Sequence, residues 1–370
     1  MKKIIVIFGT RPEAIKLCPV IMELKKYSRS IKTVVCVTGQ HKELLEKVLR
    51  TFNVIPDYNL HLMKINQSLI SLTSSSVAKI GNVLDKEKPD FVVVQGDTTT
   101  TFTAALAAYY KKINVAHVEA GLRSNNIYSP YPEEINRKIT SLIAKVHFAP
   151  TGTNKKNLMR EGINKNNILI TGNTVIDSLL WMKKKILREK KDYKELRGID
   201  FRKKLILVTG HRRENFGNSF KNICNALKYL AEKNDIEIVY PVHLNPNVRK
   251  HVFGILNKTS NIKLLQPLDY QQFIYLMTKS YFIITDSGGI QEEAPTFHKP
   301  LLITRDVTER EEVIKLGAAI LVGTKKNNII EKAEKLIYND KYYARMCNVE
   351  NPYGDGKSSK RIAKYLKNHL

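Results

Sequence analysis

The 370 residues exceed what one hydrophobic core usually serves, and 43% apolar content with 18 glycines and 13 prolines describes a folded chain of two domains, excluding a disordered one. The 61 Lys and Arg against 35 Asp and Glu give a net charge of +26, which would suit a polyanion, an acidic membrane surface or a phosphorylated substrate. The excess is dispersed in short runs such as Lys183 to Lys185 and Lys325-Lys326, without interleaved aromatics, so it reads as a Lys-rich solvated surface with no nucleic-acid signature, and no apolar run approaches the ~18 residues of a membrane helix.

The four cysteines, Cys18, Cys36, Cys224 and Cys347, lie far apart and form no C-x-x-C pair, which argues against a disulfide framework or a zinc site and fits a reducing compartment. Residues 4–8 are apolar but too short for the core of a signal peptide, and Gly9 and Arg11 interrupt them at once. A soluble, cytoplasmic protein without metal is expected.

In chain order, Lys3 to Phe8 is a continuous β-branched run of the kind that forms a strand buried on both faces, so a parallel sheet is implied. Gly9-Thr10-Arg11-Pro12-Glu13 follows as a strand–loop–helix junction, with Thr10 able to cap and Pro12 suited to the first helical turn. Backbone N–H groups at such a junction attract anions, and Arg11 adds a forked cation. Thr33 to Val37 leads into Thr38-Gly39-Gln40-His41. Phe91 to Val94 leads into Gln95-Gly96-Asp97-Thr98-Thr99-Thr100, where Asp97 is either a helix cap or a catalytic carboxylate. Each polar cluster sits at the carboxyl end of a strand, where open α/β sheets bind ligands.

Val115 to Val118 delivers HVEAGLRSNNIYSPYPEEINR, residues 117–137, to the same edge. It sets Glu119, Glu133 and Glu134 beside His117, Arg123 and Arg137 with no helical or strand period behind the charges. It reads either as a loop for acid/base work or as an ordinary charged loop. Strands at 146–149 and 168–171 close the first half, and a charged span at 183–204 should hold a helix and a linker.

The alternation restarts with Leu205 to Val208 before Thr209-Gly210-His211-Arg212, Ile236 to Tyr240 before Pro241-Val242-His243, Ile262 to Leu265 before Gln266-Pro267-Leu268, and Tyr281 to Thr285 before Asp286-Ser287-Gly288-Gly289. In Ser287-Gly288-Gly289 two glycines permit close approach to a ligand, and Glu292 and Glu293 one turn on could bind ribose hydroxyls or complement the helix dipole. Gly356-Lys357-Ser358 is not a P-loop, because Asn351 stands where its first glycine belongs, and it is expected to cap a last helix from Lys360 to Leu370. Two α/β domains, doubly wound and Rossmann-like, follow from this alternation: 1–172 with most of the carboxylates, 173–352 as a nucleotide-binding domain, and 353–370 as a helix returning to the first.

The motifs Phe8 to Glu13, Gln95 to Thr100, His117 to Arg137, Thr171 to Asp177, Val208 to Glu214, Tyr240 to Arg249 and Asp286 to Pro295, in this order and at these spacings, resemble those of the non-hydrolysing UDP-N-acetylglucosamine 2-epimerases across essentially the whole chain. The resemblance implies a glycosyltransferase-B type fold with the active site in the cleft between the domains, a homodimer, and interconversion of UDP-GlcNAc and UDP-ManNAc without cofactor, through loss of UDP to a glycal and its re-addition. It implies Asp97, Glu119 and Glu133 as acid/base carboxylates with Lys16 nearby, and His211 as a catalytic residue at the diphosphate. Arg11, Ser287, Gly288 and Gly289 match diphosphate contacts, Glu293 the ribose ligand, and Gln266 with Phe273 the uracil pocket. Gln40, His41, Gln67, Arg212 and His243 match a second UDP-GlcNAc site that activates bacterial members. One departure is Glu311, where the family usually carries proline, which bears on the rigidity of a loop near the nucleotide. On the same fold, a UDP-sugar glycosyltransferase or an epimerase for a related UDP-2-acetamido sugar are the alternatives.

Overall fold

The computed structural model describes residues 1–39, 42–63 and 67–369. The chain forms two α/β units, the first of residues 1–178 and 353–370, the second of residues 179–352.

The strands of the first unit are β1 (Lys2–Phe8), β2 (Ile31–Val37), β3 (Tyr58–Asn59), β4 (Phe91–Gln95), β5 (Asn114–Val118), β6 (Val146–Ala149) and β7 (Ile168–Ile170), all parallel, in the order β3-β2-β1-β4-β5-β6-β7. Those of the second are β8 (Lys204–Thr209), β9 (Ile236–Pro241), β10 (Ile262–Leu265), β11 (Phe282–Thr285), β12 (Leu301–Ile303) and β13 (Ala319–Leu321), also parallel, in the order β10-β9-β8-β11-β12-β13. Both are doubly wound sheets of the glycosyltransferase-B type. Strand order reverses between β1 and β4 in one and between β8 and β11 in the other, which is where such sheets take ligands.

The central strands are apolar over most of their length because helices cover both faces. Ile4 to Phe8 are fully buried, a gross stabilisation of roughly 10 kcal/mol for five large side chains. Thr10 and Glu13 form the capping box that starts the helix Arg11–Lys25, and Thr98 caps the helix Thr99–Tyr110 through the N–H of Thr101. Three strands escape the sequence reading: β3, β12 and β13 have only two or three residues, too few to show a run.

Two boundaries move. The helix Thr174–Glu189 starts inside the first unit, so residues 173–178 belong there and not with the second domain. The last helix is Ser358–Asn368, and Lys357 gives it no side-chain cap; instead the carboxylate of Asp177 accepts the N–H groups of Ser358 (3.2 Å) and Ser359 (2.8 Å). Burial lifts the Asp177 carboxyl, and the Ser359 and Ser358 donors oppose it. No described helix is long and apolar enough to cross a membrane.

Candidate functional site

In the first unit the loops after β1, β4 and β5 are fastened to one another. Gly9 lets β1 and its neighbours close up: a Cβ there would stand 2.1 Å from Thr38 Oγ1 and 2.5 Å from Thr100 Oγ1, two hydroxyls that are themselves hydrogen-bonded at 2.9 Å. The Glu13 carboxylate, 1% exposed, accepts the N–H of Gly9 (3.0 Å) and Thr10 (2.7 Å) and the hydroxyls of Thr98 (2.6 Å) and Thr101 (3.2 Å). Burial raises its pKa, and those donors work against the rise. Arg11, half-buried, occupies the first position of the helix that follows.

Glu119 stands just past β5 in the left-handed backbone region, φ 62°, and is 7% exposed. A non-glycine residue held there over a buried carboxylate is the kind of strain found at functional sites. Lys16 Nζ donates to both carboxylate oxygens (2.6 and 2.7 Å), Asn173 Nδ2 to Oε1 (2.9 Å), and Gln95 Nε2 to Oε2. Lys16 faces the site from the helix that begins at Arg11, one turn beyond the capping box.

Asp97 lies close by. Glu119 Oε2 is 3.7 Å from where a Cβ on Gly96 would be, and Gly96 is held by its own N–H to Val118 (3.0 Å) and by its carbonyl, which accepts His117 Nε2–H at 2.8 Å. Arg137 donates to the Asp97 carboxylate and, at 2.9 Å, to the fully buried Glu134, which also accepts the N–H of Ser124 (3.0 Å) and Asn125 (3.3 Å). Asn136 Nδ2 donates to the Asp97 carbonyl at 2.9 Å. Asp97 therefore caps nothing; Thr98 does that, and the Asp97 carboxylate is left as a partner for cations.

The 117–137 stretch is not a single charged loop. His117 ends β5, and Glu133, Glu134 and Arg137 occupy the first turns of the helix Glu133–Ile143, so a helical i,i+3 relation does place Glu134 against Arg137. Glu133 is partly exposed, with Oε2 enclosed and without a hydrogen-bond partner among the described residues. Arg123 is tied to Glu161 (2.8 and 2.5 Å) and to Ser141, holding the loop's start. His117 and His147 face each other across β5 and β6, both buried, and burial lowers their pKa values to about 3 and about 4.

In the second unit Asp286, fully buried at the end of β11, organises the loop after β8. It accepts the N–H groups of His211 (2.9 Å) and Arg212 (2.9 Å) and Asn215 Nδ2 (3.3 Å), and its carbonyl accepts Arg212 Nε–H at 3.0 Å. The His211 ring stands with Nδ1 3.6 Å from Asp286 Oδ1 and stacks on His243, centroids 5.4 Å apart. Burial lowers the His211 pKa, with Asp286 opposing. Ser287 donates its N–H to Thr285 Oγ1 (3.0 Å), and Gly288 packs so closely on the Arg310 guanidinium that a Cβ would meet it at 3.1 Å. Arg310 in turn donates to Glu292 at 3.0 Å, so Glu292 serves that ion pair, and Glu293 carries the partly exposed carboxylate of the two.

Gln266 is exposed and accepts from Arg249 (3.3 Å), and Phe273 is half-buried on the helix Tyr270–Lys279. Gln67 is half-buried just before the helix Leu69–Glu87, while Gln40 and His41 lie outside the described residues. Glu311, the departure from the family pattern, begins the helix Glu311–Lys315 and pairs with Lys315 at 2.6 Å, a stabilising arrangement at that helix's first turn. Sequence reasoning gives no individual role to Gln95, Asn173, Asp286 or Arg310, while Arg137, read from the sequence as one of the charges of the 117–137 stretch, is the cation that holds Asp97 and Glu134. Gln95 and Asp286 each end or follow a strand beside a residue already singled out, a signal that could have found them.

The family model described as UDP-N-acetylglucosamine 2-epimerase matches residues 23–367. The UDP-N-acetylglucosamine 2-epimerase of Campylobacter jejuni is 51% identical over 99% of this chain and 97% of its own length. A crystal structure of UDP-GlcNAc 2-epimerase from Neisseria meningitidis bound to UDP-GlcNAc superposes with a TM-score of 0.92 at 48% identity, covering 99% of this chain and all of the other. A crystal structure of MurG from Acinetobacter baumannii, 14% identical with a TM-score of 0.59 over the full length of both chains, shares the fold alone.

Proposed function

Because the chain belongs to the UDP-N-acetylglucosamine 2-epimerase family, we propose that it interconverts UDP-GlcNAc and UDP-ManNAc by elimination of UDP to a glycal and re-addition from the other face. The observation that carries this reading is the Glu119 carboxylate: buried, strained in its backbone, and gripped by Lys16, Gln95 and Asn173 at the carboxyl end of β5. Inverting C2 requires removal of a weakly acidic proton while the C1 bond to the diphosphate breaks, so the reaction needs carboxylates fixed to take and return protons and cations to meet growing phosphate charge.

Glu119, Asp97 and Glu133 act as these carboxylates, with Lys16 holding Glu119 ionised. Arg137 keeps Asp97 oriented, and Glu133 keeps one enclosed oxygen for a substrate hydrogen or hydroxyl. At the diphosphate, His211 gains a proton more readily as negative charge grows beside it, and Asp286 stabilises that imidazolium. Arg11 and the backbone of Ser287, Gly288 and Gly289 hold phosphate oxygens, Glu293 the ribose, and Gln266 with Phe273 the base.

A second UDP-GlcNAc acting as an activator would use Gln67, Arg212 and His243, together with Gln40 and His41. The stacking of His243 on His211 supports a link between such a ligand and the catalytic histidine. A homodimer is part of the same reading: exposed Ile70 (82%) and Tyr131, with Leu69, Thr73, Phe102 and Pro132, line a largely apolar cavity of about 390 Å³ on the first unit, and Tyr109 and Leu142 of the same unit are exposed as well. The product would serve polysaccharide synthesis from the cytoplasm.

Incubation with UDP-GlcNAc in deuterated water, without acceptor, tests the whole. Deuterium at C2 and formation of UDP-ManNAc are expected; sugar transfer or inert substrate would rule the epimerase out in favour of a glycosyltransferase.

A further inference from the structure

Glu119 takes hydrogen bonds from three side chains, and they differ in how they are anchored. Lys16 sits on a long helix and Gln95 ends a central strand. Asn173 belongs to neither: it lies in the short segment between the edge strand β7 and the helix Thr174–Glu189, 54 residues from Glu119. The sheet holds that segment at its first residue alone among the described contacts, through the N–H of Thr171 on the Ala149 carbonyl at 3.0 Å. The C-terminal stretch holds the rest.

The N–H of Asn173 donates to the carbonyl of Tyr353 at 2.6 Å, and Arg361 donates to the carbonyl of Thr171 at 3.1 Å. Gly172, at φ 85°, lies so close to the returning chain that a Cβ would come within 2.6 Å of Ser358 Oγ and 3.2 Å of the Tyr353 carbonyl. Four residues after Asn173, Asp177 holds the start of the last helix through Ser358 and Ser359. The Asn173 side chain is oriented as well as placed. Its Oδ1 accepts the N–H of Val175 at 3.1 Å, which leaves the amide nitrogen, and not the oxygen, directed at Glu119 Oε1. Asn173 is 2% exposed, so water has little access to compete for this amide.

From this geometry we propose that Asn173 is a positioning residue for the reaction: set by the C-terminal segment, it fixes the rotamer of Glu119 and favours its ionised form, without itself meeting the substrate. A hydrogen bond to a charged acceptor matters more than one between neutral groups, and losing it leaves Glu119 free to turn about its side-chain torsions. The proposal rests on Glu119 being the catalytic carboxylate of the preceding section.

Three variants of the full-length enzyme separate the two claims. Asn173→Ala should lower kcat about 10- to 100-fold with little change in KM, the loss of one hydrogen bond to a charged group. Asn173→Asp sets a like charge against Glu119, which disfavours its ionised form, so the acid limb of the kcat/KM profile should move up by about 1 pH unit or more. Adding Asn173→Ala to Glu119→Gln should cost nothing further. UDP affinity by calorimetry and the melting temperature serve as controls, because a purely structural role would lower the melting temperature and leave the pH profile in place. An Asn173→Asp profile that superimposes on the parent enzyme, with Glu119→Gln inactive, overturns the proposal; full turnover by Glu119→Gln overturns instead the assignment of Glu119.

Discussion

The paired histidines across β5 and β6 make the stability of the first unit depend on pH in a calculable way. His117 and His147 are 0% and 1% exposed, opposite each other in register, with Arg123 close enough to oppose a positive charge on either. Burial is the main cause of their low pKa values, about 3 and about 4 against 6.5 for a free imidazole. A folded pKa below the unfolded one means stability that is present above pH 6.5 and lost as pH falls toward those values. Between pH 7 and pH 5 each unfolded imidazole goes from mostly neutral to almost fully protonated while the folded one stays neutral, which integrates to about 1.8 kcal/mol per histidine and about 3.6 kcal/mol for the pair. Other groups titrate too, so the measurement is a difference. Urea denaturation followed by circular dichroism at pH 7 and pH 5, on the parent chain and on His117→Gln and His147→Gln, should show each variant losing about 1.8 kcal/mol less than the parent over that interval. Glutamine keeps a donor for the Gly96 carbonyl, so His117→Gln should still fold. Parallel losses in parent and variants would refute the reasoning, because they would mean both histidines are protonated in the fold, or solvated, at pH 5.

Further outcomes follow from the same contacts. Glu119→Gln should reduce turnover by a factor on the order of 100 to 10,000 while leaving UDP affinity unchanged, checked by a coupled assay and calorimetry. Arg137→Ala should destabilise the chain by about 3 kcal/mol in urea denaturation, since it leaves Glu134 fully buried without its cation, and should also depress kcat by freeing Asp97. Gly9→Ala should cost about 1–3 kcal/mol, because its Cβ falls within 2.5 Å of two hydroxyls; a melting temperature equal to the parent's would show that Thr38 and Thr100 can separate without loss. Ile70→Asp should give a monomer by light scattering if the largely apolar cavity of the first unit lies at a dimer contact, and an unchanged mass would count against that surface.

The strands legible in the sequence are runs of four or more residues that are mostly apolar, with at most one polar residue inside such as His117, Glu237 or Lys263, because a parallel strand covered on both faces cannot hide its composition. β12 and β13 stayed hidden behind Pro300 and Gly317-Ala318, where three residues are too few to outweigh the flanking turn signals. The site was half legible for the same reason. Asp97 and Glu119 follow strands directly, so they lie on the ligand edge whatever the helices do. Glu133 and Glu134 read as loop residues in the sequence because Pro130 and Pro132 mask the start of a helix whose first acidic residues are well suited to its dipole. The pairings of Asn173 with Glu119 and of Arg137 with Asp97 cannot be read from the sequence: they span 54 and 40 residues, and only the folded chain brings the partners together.

Burial of a carboxylate does not by itself mark catalysis here, and the two sheets show why. Each reverses strand order between two loops, and each uses a buried acid to tie its loops: Glu13 takes the N–H groups of Gly9 and Thr10 and the hydroxyls of Thr98 and Thr101, and Asp286 takes the N–H groups of His211 and Arg212. A pair of threonine hydroxyls reinforces the join in both, Thr38 with Thr100 and Thr209 with Thr285. Backbone N–H groups cannot move without the fold, so an acid that accepts them is committed to structure and cannot give up its lone pairs during a reaction. Glu119 accepts instead from the side chains of a lysine, a glutamine and an asparagine, which can shift or re-pair as a proton arrives and leaves in the proposed reaction. That difference in the kind of donor, more than depth of burial, is what would separate the proposed proton carrier from the fasteners.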